Sequence, residues 1–316
     1  MPNQKKVAII VNSAAKSGQA RAQVHEAKRA LWGWPLEFFF PPNAGELISV
    51  CSRLDVEHYE AVIMIGGDGT QHIAIPILLQ SRVPLIPFPG GTANDLAREL
   101  GVSEDWNQIQ SLLDLRKKRQ IDVITANGTP FATVAGIGVG SILTQEFNER
   151  RSQSPLFRKV AAKLSDQIYP LMAAKVILTH PDYGYRLKVR ADRFSENCVE
   201  SSALFICNQS YLGGKLKVAP SIDNADRTFH VLFIARTGRF EVLRALQALQ
   251  KGDTPQDFIQ FSTKRMVIED LDQKPIRIFG DGEIFIESQR VVFEVAPSLL
   301  EVYADMSQSG KKGFLI

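Results

Sequence analysis

The chain has 316 residues, 45% hydrophobic and 22% charged, the balance of a soluble globular protein long enough for two domains. A net charge of +3 permits attraction to anionic lipid or nucleotide without implying nucleic-acid binding, and none is expected. Cys51, Cys198 and Cys207 form no CxxC pair, which argues against a disulfide framework or zinc site and for buried, inert thiols; no run of about 18 apolar residues is present to span a membrane, so a cytoplasmic protein, free or peripheral at a membrane surface, is expected.

In chain order, Val7 to Val11 predicts a first strand and residues 19–32 a helix, joined by a Gly/Ser loop from Asn12 to Gly18. Glu37 to Phe40 predicts a second strand, and Pro41-Pro42-Asn43-Ala44-Gly45 leads into a helix over 46–54. The β-branched run Ala61 to Ile65 reads as a strand buried on both faces of a parallel sheet, and it runs into Gly66-Gly67-Asp68-Gly69-Thr70.

Without Cβ atoms, these glycines can turn sharply through positive φ and approach a bulky anion. A helix opened by Thr70 and spanning 71–80, bent or shortened by Pro76, offers N–H groups and a positive dipole end to a phosphate. Asp68 suits a bridging divalent cation or a proton-accepting role, or it caps the helix in an ordinary glycine turn. A short strand at 84–88 enters a second glycine turn, Gly90-Gly91, followed by Thr92 and Asn94 as caps and Asp95 in the first turn of a helix stopped by Gly101. Two such turns in adjacent units place two helix starts at one edge of a parallel sheet, where open α/β sheets bind ligands.

Arg116 to Arg119 reads as a solvated helix end. Beyond it, strands are expected at 121–125, 133–140, 175–178, 185–190, 202–208, 229–235, 265–269, 275–279 and 291–296, with helices near 144–148, 157–171 and 240–250. The fold class is thus α/β plus β, a Rossmann-like parallel-sheet domain followed by a largely antiparallel sandwich or barrel. The expected division is 1–120 with 298–316 packing back on it, and 121–297. The histidines show no metal spacing; His72 touches nucleotide or lies on a helix surface. Phe147, Arg150, Arg151, Leu156, Phe157, Arg158 and Lys159 mix aromatic and basic residues as a membrane-surface segment does, or form an ordinary amphipathic helix.

Gly66-Gly-Asp-Gly-Thr70, Pro89-Gly-Gly-Thr-Ala-Asn-Asp-Leu-Ala-Arg98, Gly136-Ile-Gly138, Gly213-Gly214 with Ala219-Pro220, and Asp281-Gly-Glu283 occur in the order seen in the diacylglycerol kinase catalytic-domain family, which this chain resembles over nearly its whole length. The resemblance implies a two-domain enzyme using ATP and Mg²⁺, with ATP between the domains and a lipid substrate, most simply diacylglycerol, reaching the second domain from a membrane surface. It implies nucleotide contacts from Gly66, Gly67, Asp68, Gly69, Thr70, Gln71, His72 and Thr92, with Asn94 and Asp95 supporting that site and Asn12 in the first loop. Glu283 matches the proton acceptor of bacterial members, with Asp281 beside it, whereas sphingosine-kinase-like members assign that role to the position of Asp68.

The family's structural Mg²⁺ would fall to the Asp226 side chain and the carbonyls of Asp223 and Thr228. This chain departs from the family pattern at Arg227, where a glycine is usual, in its longer first loop, and at Pro41-Pro42. Other lipid acceptors (sphingosine-like or phosphatidylglycerol), a soluble NAD-kinase-like enzyme and a catalytically silent lipid-binding homologue are the alternatives, and a homodimer is compatible with each.

Overall fold

The computed structural model describes residues 4–12, 20–164, 168–180, 182–192, 194–214, 216–219, 222–235, 238–253, 258–281 and 283–305. Most of the Asn12–Gly18 loop, Pro220, Gly282 and the tail from Ser307 lie outside them. The chain forms two compact units, one of residues 1–121 with 298–316 and one of residues 122–297.

Unit 1 contains β1 (Lys6–Val11), α1 (Ala20–Ala30), β2 (Leu36–Phe39), α2 (Ala44–Cys51), β3 (Tyr59–Gly66), α3 (Asp68–Ser81), β4 (Leu85–Pro89), α4 (Asp95–Glu99), α5 (Trp106–Asp114) and β5 (Lys118–Ile121). Unit 2 follows with β6 (Ile124–Ala126), β7 (Thr129–Phe131), β8 (Val134–Gly138), α6 (Val139–Gln153), α7 (Pro155–Leu164), α8 (Ile168–Thr179), β9 (Tyr185–Ala191), β10 (Phe194–Cys207), β11 (Tyr211–Leu212), β12 (Leu216–Lys217), β13 (Phe229–Ala235), α9 (Arg239–Lys251), β14 (Ile259–Thr263), β15 (Arg265–Asp270), β16 (Ile276–Gly280), β17 (Glu283–Ser288) and β18 (Arg290–Val295). The chain then returns to unit 1 as β19 (Leu300–Tyr303).

The unit 1 sheet has the order β2-β1-β3-β4-β19-β5, parallel throughout except for the β19–β5 pair. Val7 to Ile10 and Ala61 to Met64 are wholly buried, as expected of strands covered on both faces. Unit 2 is built on an eleven-stranded antiparallel sheet whose inward side chains, among them Phe131, Leu204, Phe229, Phe233 and Phe293, form one core.

Several local expectations are corrected. Helix α3 begins at Asp68 rather than Thr70, so Asp68 and Gly69 belong to its first turn. It also runs on through Pro76 to Ser81, so the proline does not shorten it. Residues 175–178 are helical rather than extended: Ile168, Met172 and Val176 are buried at a helical spacing that outweighs the β-branched run. Helix α6 is far longer than 144–148, and the expected 157–171 helix is divided into α7 and α8. Cys51 and Cys207 are buried, and desolvation pushes the Cys51 thiol up to about 12, but Cys198 is exposed on β10.

Candidate functional site

In unit 1, β3 and β4 are neighbouring parallel strands, with Gly66 paired to Pro89, so their two glycine turns leave the sheet side by side. None of Gly66, Gly67, Gly69, Gly90 or Gly91 has positive φ. At Gly66, Gly67, Gly90 and Gly91 the need for glycine comes from close approach. A Cβ on Gly91 would stand 2.5 Å from the Gly67 Cα, and one on Gly90 would stand 2.8 Å from the Gly66 nitrogen. A Cβ on Gly66 would meet the Thr70 side chain, which folds back over it. Thr70 is held there by Asn12, whose Nδ2 donates to Thr70 Oγ1 at 2.8 Å.

Asp68 ties the two turns together. Its Oδ2 accepts the Asn94 N–H at 3.0 Å and its Oδ1 accepts the Asp95 N–H at 2.7 Å, so a residue of the first turn caps the helix that starts after the second. Asn94 sits in the left-handed region at φ 53, and its side-chain oxygen accepts the Gly90 and Gly91 N–H groups at 3.1 and 2.7 Å while its Nδ2 donates to the Gly91 carbonyl. The second turn therefore spends these amides on its own shape, and the start of α3 is the helix end that remains the phosphate-type feature of this edge. Gln71 is buried, its Nε2 donating to the Met64 carbonyl, so it fastens α3 to β3. His72 and Thr92 are half-buried at this edge. Asp95 is buried; four residues on, Glu99 is desolvated by burial, opposed by Arg119 and reinforced by Asp95, and its carboxyl is raised to about 7.

In unit 2, Asp281 and Glu283 flank the turn between β16 and β17. Asp281 lies in the left-handed region at φ 48 and is buried, its carboxylate accepting the N–H groups of Ala132 and Thr133 and the Thr133 hydroxyl. It points into the unit and fixes the turn. Glu283 is exposed, and Asn148 of α6 donates to its Oε2 at 3.1 Å. The glycines of β8 and α6 also serve this hairpin, since a Cβ on Gly136 or Gly140 would collide with the Phe279 ring. Gly138, at φ 81, turns β8 into α6.

In the 223–228 loop the side chains of Asp223, Asp226 and Thr228 make local hydrogen bonds. Asp226 Oδ1 accepts both the N–H and the hydroxyl of Thr228, and Asp223 Oδ1 accepts the Ala225 N–H. Arg227 adopts φ 63, the conformation a glycine favours, so the turn survives the substitution. The all-oxygen donor set fits a hard cation chemically. Among the described residues no three His, Cys, Asp or Glu side chains form a metal cluster, and the donor set expected in this loop holds one carboxylate and two main-chain carbonyls.

Sequence reasoning missed the partner of that loop. Asp122 is wholly buried, and it accepts the Arg227 N–H at 2.6 Å and the Arg227 guanidinium at 2.9 Å, while the same guanidinium donates to the Ala296 carbonyl. The available signal was one charged residue inside the apolar run Ile121 to Ile124. Asn148 carried no such signal.

The supposed membrane segment is partly internal. Phe147 is buried and its ring lies 5.7 Å from that of half-buried Phe157, in a small core with Ala161, Ile168 and Met172, while Leu156, Lys159 and Val160 remain exposed. No helix among the described residues is long and apolar enough to cross a membrane. A half-open apolar groove on unit 2 is lined by Val189, Val199, Phe233, Ile259 and Phe261, with exposed Asn197 and Cys198 beside them.

Residues 6–126 match the family model of the diacylglycerol kinase catalytic domain, and residues 153–304 match that of the YegS C-terminal NAD kinase beta sandwich-like domain. A Staphylococcus haemolyticus protein with a provisional lipid-kinase name is 23% identical over 270 residues, 82% of either chain. A protein of Mycobacterium tuberculosis named diacylglycerol kinase is 24% identical over 238 residues, covering 71% of this chain and 70% of that one. The fold is similar to the crystal structure of a provisionally assigned diacylglycerol kinase from Bacillus anthracis str. Sterne, with a TM-score of 0.77 at 22% identity over 96% of this chain and 98% of that one.

Proposed function

Because the chain belongs to the diacylglycerol kinase catalytic-domain family and is a kinase with an alcohol acceptor, we propose that it is a lipid kinase that transfers the γ-phosphoryl group of ATP to the primary hydroxyl of diacylglycerol, giving phosphatidic acid and ADP. The observation that carries this reading is the pair of glycine turns, packed backbone to backbone and braced by Asp68 at the start of α3. Such a frame fixes the start of α3, the helix end suited to an anion, without reorganising, as phosphoryl transfer requires. The names borne by the relatives support a lipid acceptor.

In this scheme the nucleotide phosphates lie against Gly66, Gly67, Asp68, Gly69 and Thr70, with Thr92 and His72 at the same edge. Asn12, Gln71, Asn94 and Asp95 hold the frame. Glu283 takes the proton of the acceptor hydroxyl as its oxygen forms the new bond to phosphorus and the bond to the β-phosphate oxygen breaks. Asp281 fixes the turn that carries Glu283. A divalent cation such as Mg²⁺, bound with ATP, supplies charge neutralisation at the phosphates. Asp226, with the carbonyls of Asp223 and Thr228, would hold a second, structural ion. The open apolar groove of unit 2 offers an acyl chain apolar contact, and Leu156, Lys159 and Val160 suit peripheral contact with an anionic bilayer.

The test is transfer of labelled phosphate from Mg·ATP in mixed micelles, with diacylglycerol, sphingosine, phosphatidylglycerol and NAD offered in parallel. Phosphatidic acid as the major product is the expected result. Turnover on another lipid replaces the acceptor, and turnover on NAD alone, or on none despite ATP binding, overturns the proposal.

A further inference from the structure

We infer that Asn148 is a positioning residue for phosphoryl transfer, holding the carboxylate of Glu283 in the orientation that accepts the proton; this rests on the role proposed for Glu283. An exposed glutamate at the first position of a strand samples several rotamers, and freezing it costs about 1.5–2 kcal/mol of side-chain freedom. Proton transfer requires one orientation, so the chain must restrict this side chain locally. The amide of Asn148, donating to Oε2 at 3.1 Å, does so.

The restraint is useful only if α6 is itself fixed to the hairpin, and two further hydrogen bonds fix it. Ser141 Oγ donates to the Arg277 carbonyl at 2.6 Å, and the Arg277 guanidinium donates to Gln145 Oε1 at 3.3 Å. Positions 141, 145 and 148 lie on one face of the helix, so a single polar ridge follows the hairpin from β16 to the first residue of β17. Gly136 and Gly140 leave the space into which the Phe279 ring packs between helix and strand. On the other side of the turn, buried Asp281 grips Ala132 and Thr133. Helix α6, strand β16 and the Asn148 amide are thus tied together, with the Glu283 carboxylate at the exposed end.

The experiment is a double-mutant cycle of Asn148→Ala and Glu283→Gln on the full chain, read as single-turnover transfer to the accepted lipid, with KM for ATP and melting temperature in parallel. The expected result for Asn148→Ala is a roughly tenfold loss of the transfer rate with KM for ATP and melting temperature unchanged. In the Glu283→Gln background the same substitution is expected to cost less than about twofold, because there is no proton acceptor left to orient. A transfer rate within about twofold of the parent, an equal loss in both backgrounds, or a loss confined to KM or melting temperature would overturn the inference. Full activity of Glu283→Gln alone would instead remove the assignment of Glu283 on which it rests.

Discussion

Asp68 and Asp95 stand 27 residues apart, yet the main-chain N–H of Asp95 donates to the Asp68 carboxylate at 2.7 Å, and that bond joins the two glycine turns. With its other oxygen on the Asn94 N–H, the side chain is built as a brace. Asp68→Ala is expected to cost about 1–2 kcal/mol of stability and to raise KM for ATP, with Asp68→Asn intermediate because an amide keeps only one acceptor. Thermal melting with steady-state kinetics checks this. A fall in kcat at unchanged KM and melting temperature would instead mark Asp68 as the proton acceptor.

The same edge tolerates no added methyl. Gly91→Ala places a Cβ against the Gly67 Cα and is expected to abolish ATP binding or folding, whereas Gly33→Ala, with open space at its Cβ, should change stability by no more than about 0.5 kcal/mol. Nucleotide titration and melting curves of the two variants make the comparison.

Arg227, itself partly exposed, reaches in to the wholly buried carboxylate of Asp122. Removing its guanidinium leaves the buried carboxylate of Asp122 with the main-chain N–H of residue 227 as its partner, so Arg227→Ala is expected to cost about 2–3 kcal/mol. Arg227→Gly should cost about 1 kcal/mol less, because glycine occupies φ 63 without strain. Urea denaturation of both variants measures the order. Equal stability of parent and Arg227→Ala would refute the ion pair.

Glu99 predicts a pH dependence of stability. Its carboxyl is raised to about 7 by desolvation, with Arg119 opposing and Asp95 adding to the rise. Between the unfolded value near 4.5 and the folded value near 7, the folded protein keeps a proton that the unfolded chain has released, so stability falls as pH rises through this window. The cost, on the order of 3 kcal/mol, is complete above it. Glu99→Gln is expected to raise the melting temperature at about pH 8.5 and to leave it unchanged at about pH 4. A gain of equal size at both values would exclude this origin.

How far these features were legible in the sequence depended on whether their cause was local. The buried strand from Ala61 and the paired glycines were visible because burial on both faces and close backbone approach each restrict composition at the position itself. The reason for the glycines was not visible, since Gly66 meets Gly90 only after two strands have paired; positive φ was the local explanation, and the backbone does not use it. Residues 175–178 misled for a related cause. Their β-branched run favours a strand, but the burial of Met172 and Val176 against neighbouring helices decided the conformation. Asn148 left no trace, because its partner lies 135 residues further along the chain. Asp122 did leave one, as a lone charge among apolar neighbours.

The most direct measurement is phosphate transfer to diacylglycerol by Glu283→Gln beside the parent protein, with the dissociation constant for ATP determined for each. A lipid kinase that relies on Glu283 as proton acceptor should form phosphatidic acid as the parent and lose roughly a hundredfold or more of that rate in the variant, at unchanged ATP affinity. Equal rates in the two proteins, or a parent that binds ATP and phosphorylates no lipid, would contradict it.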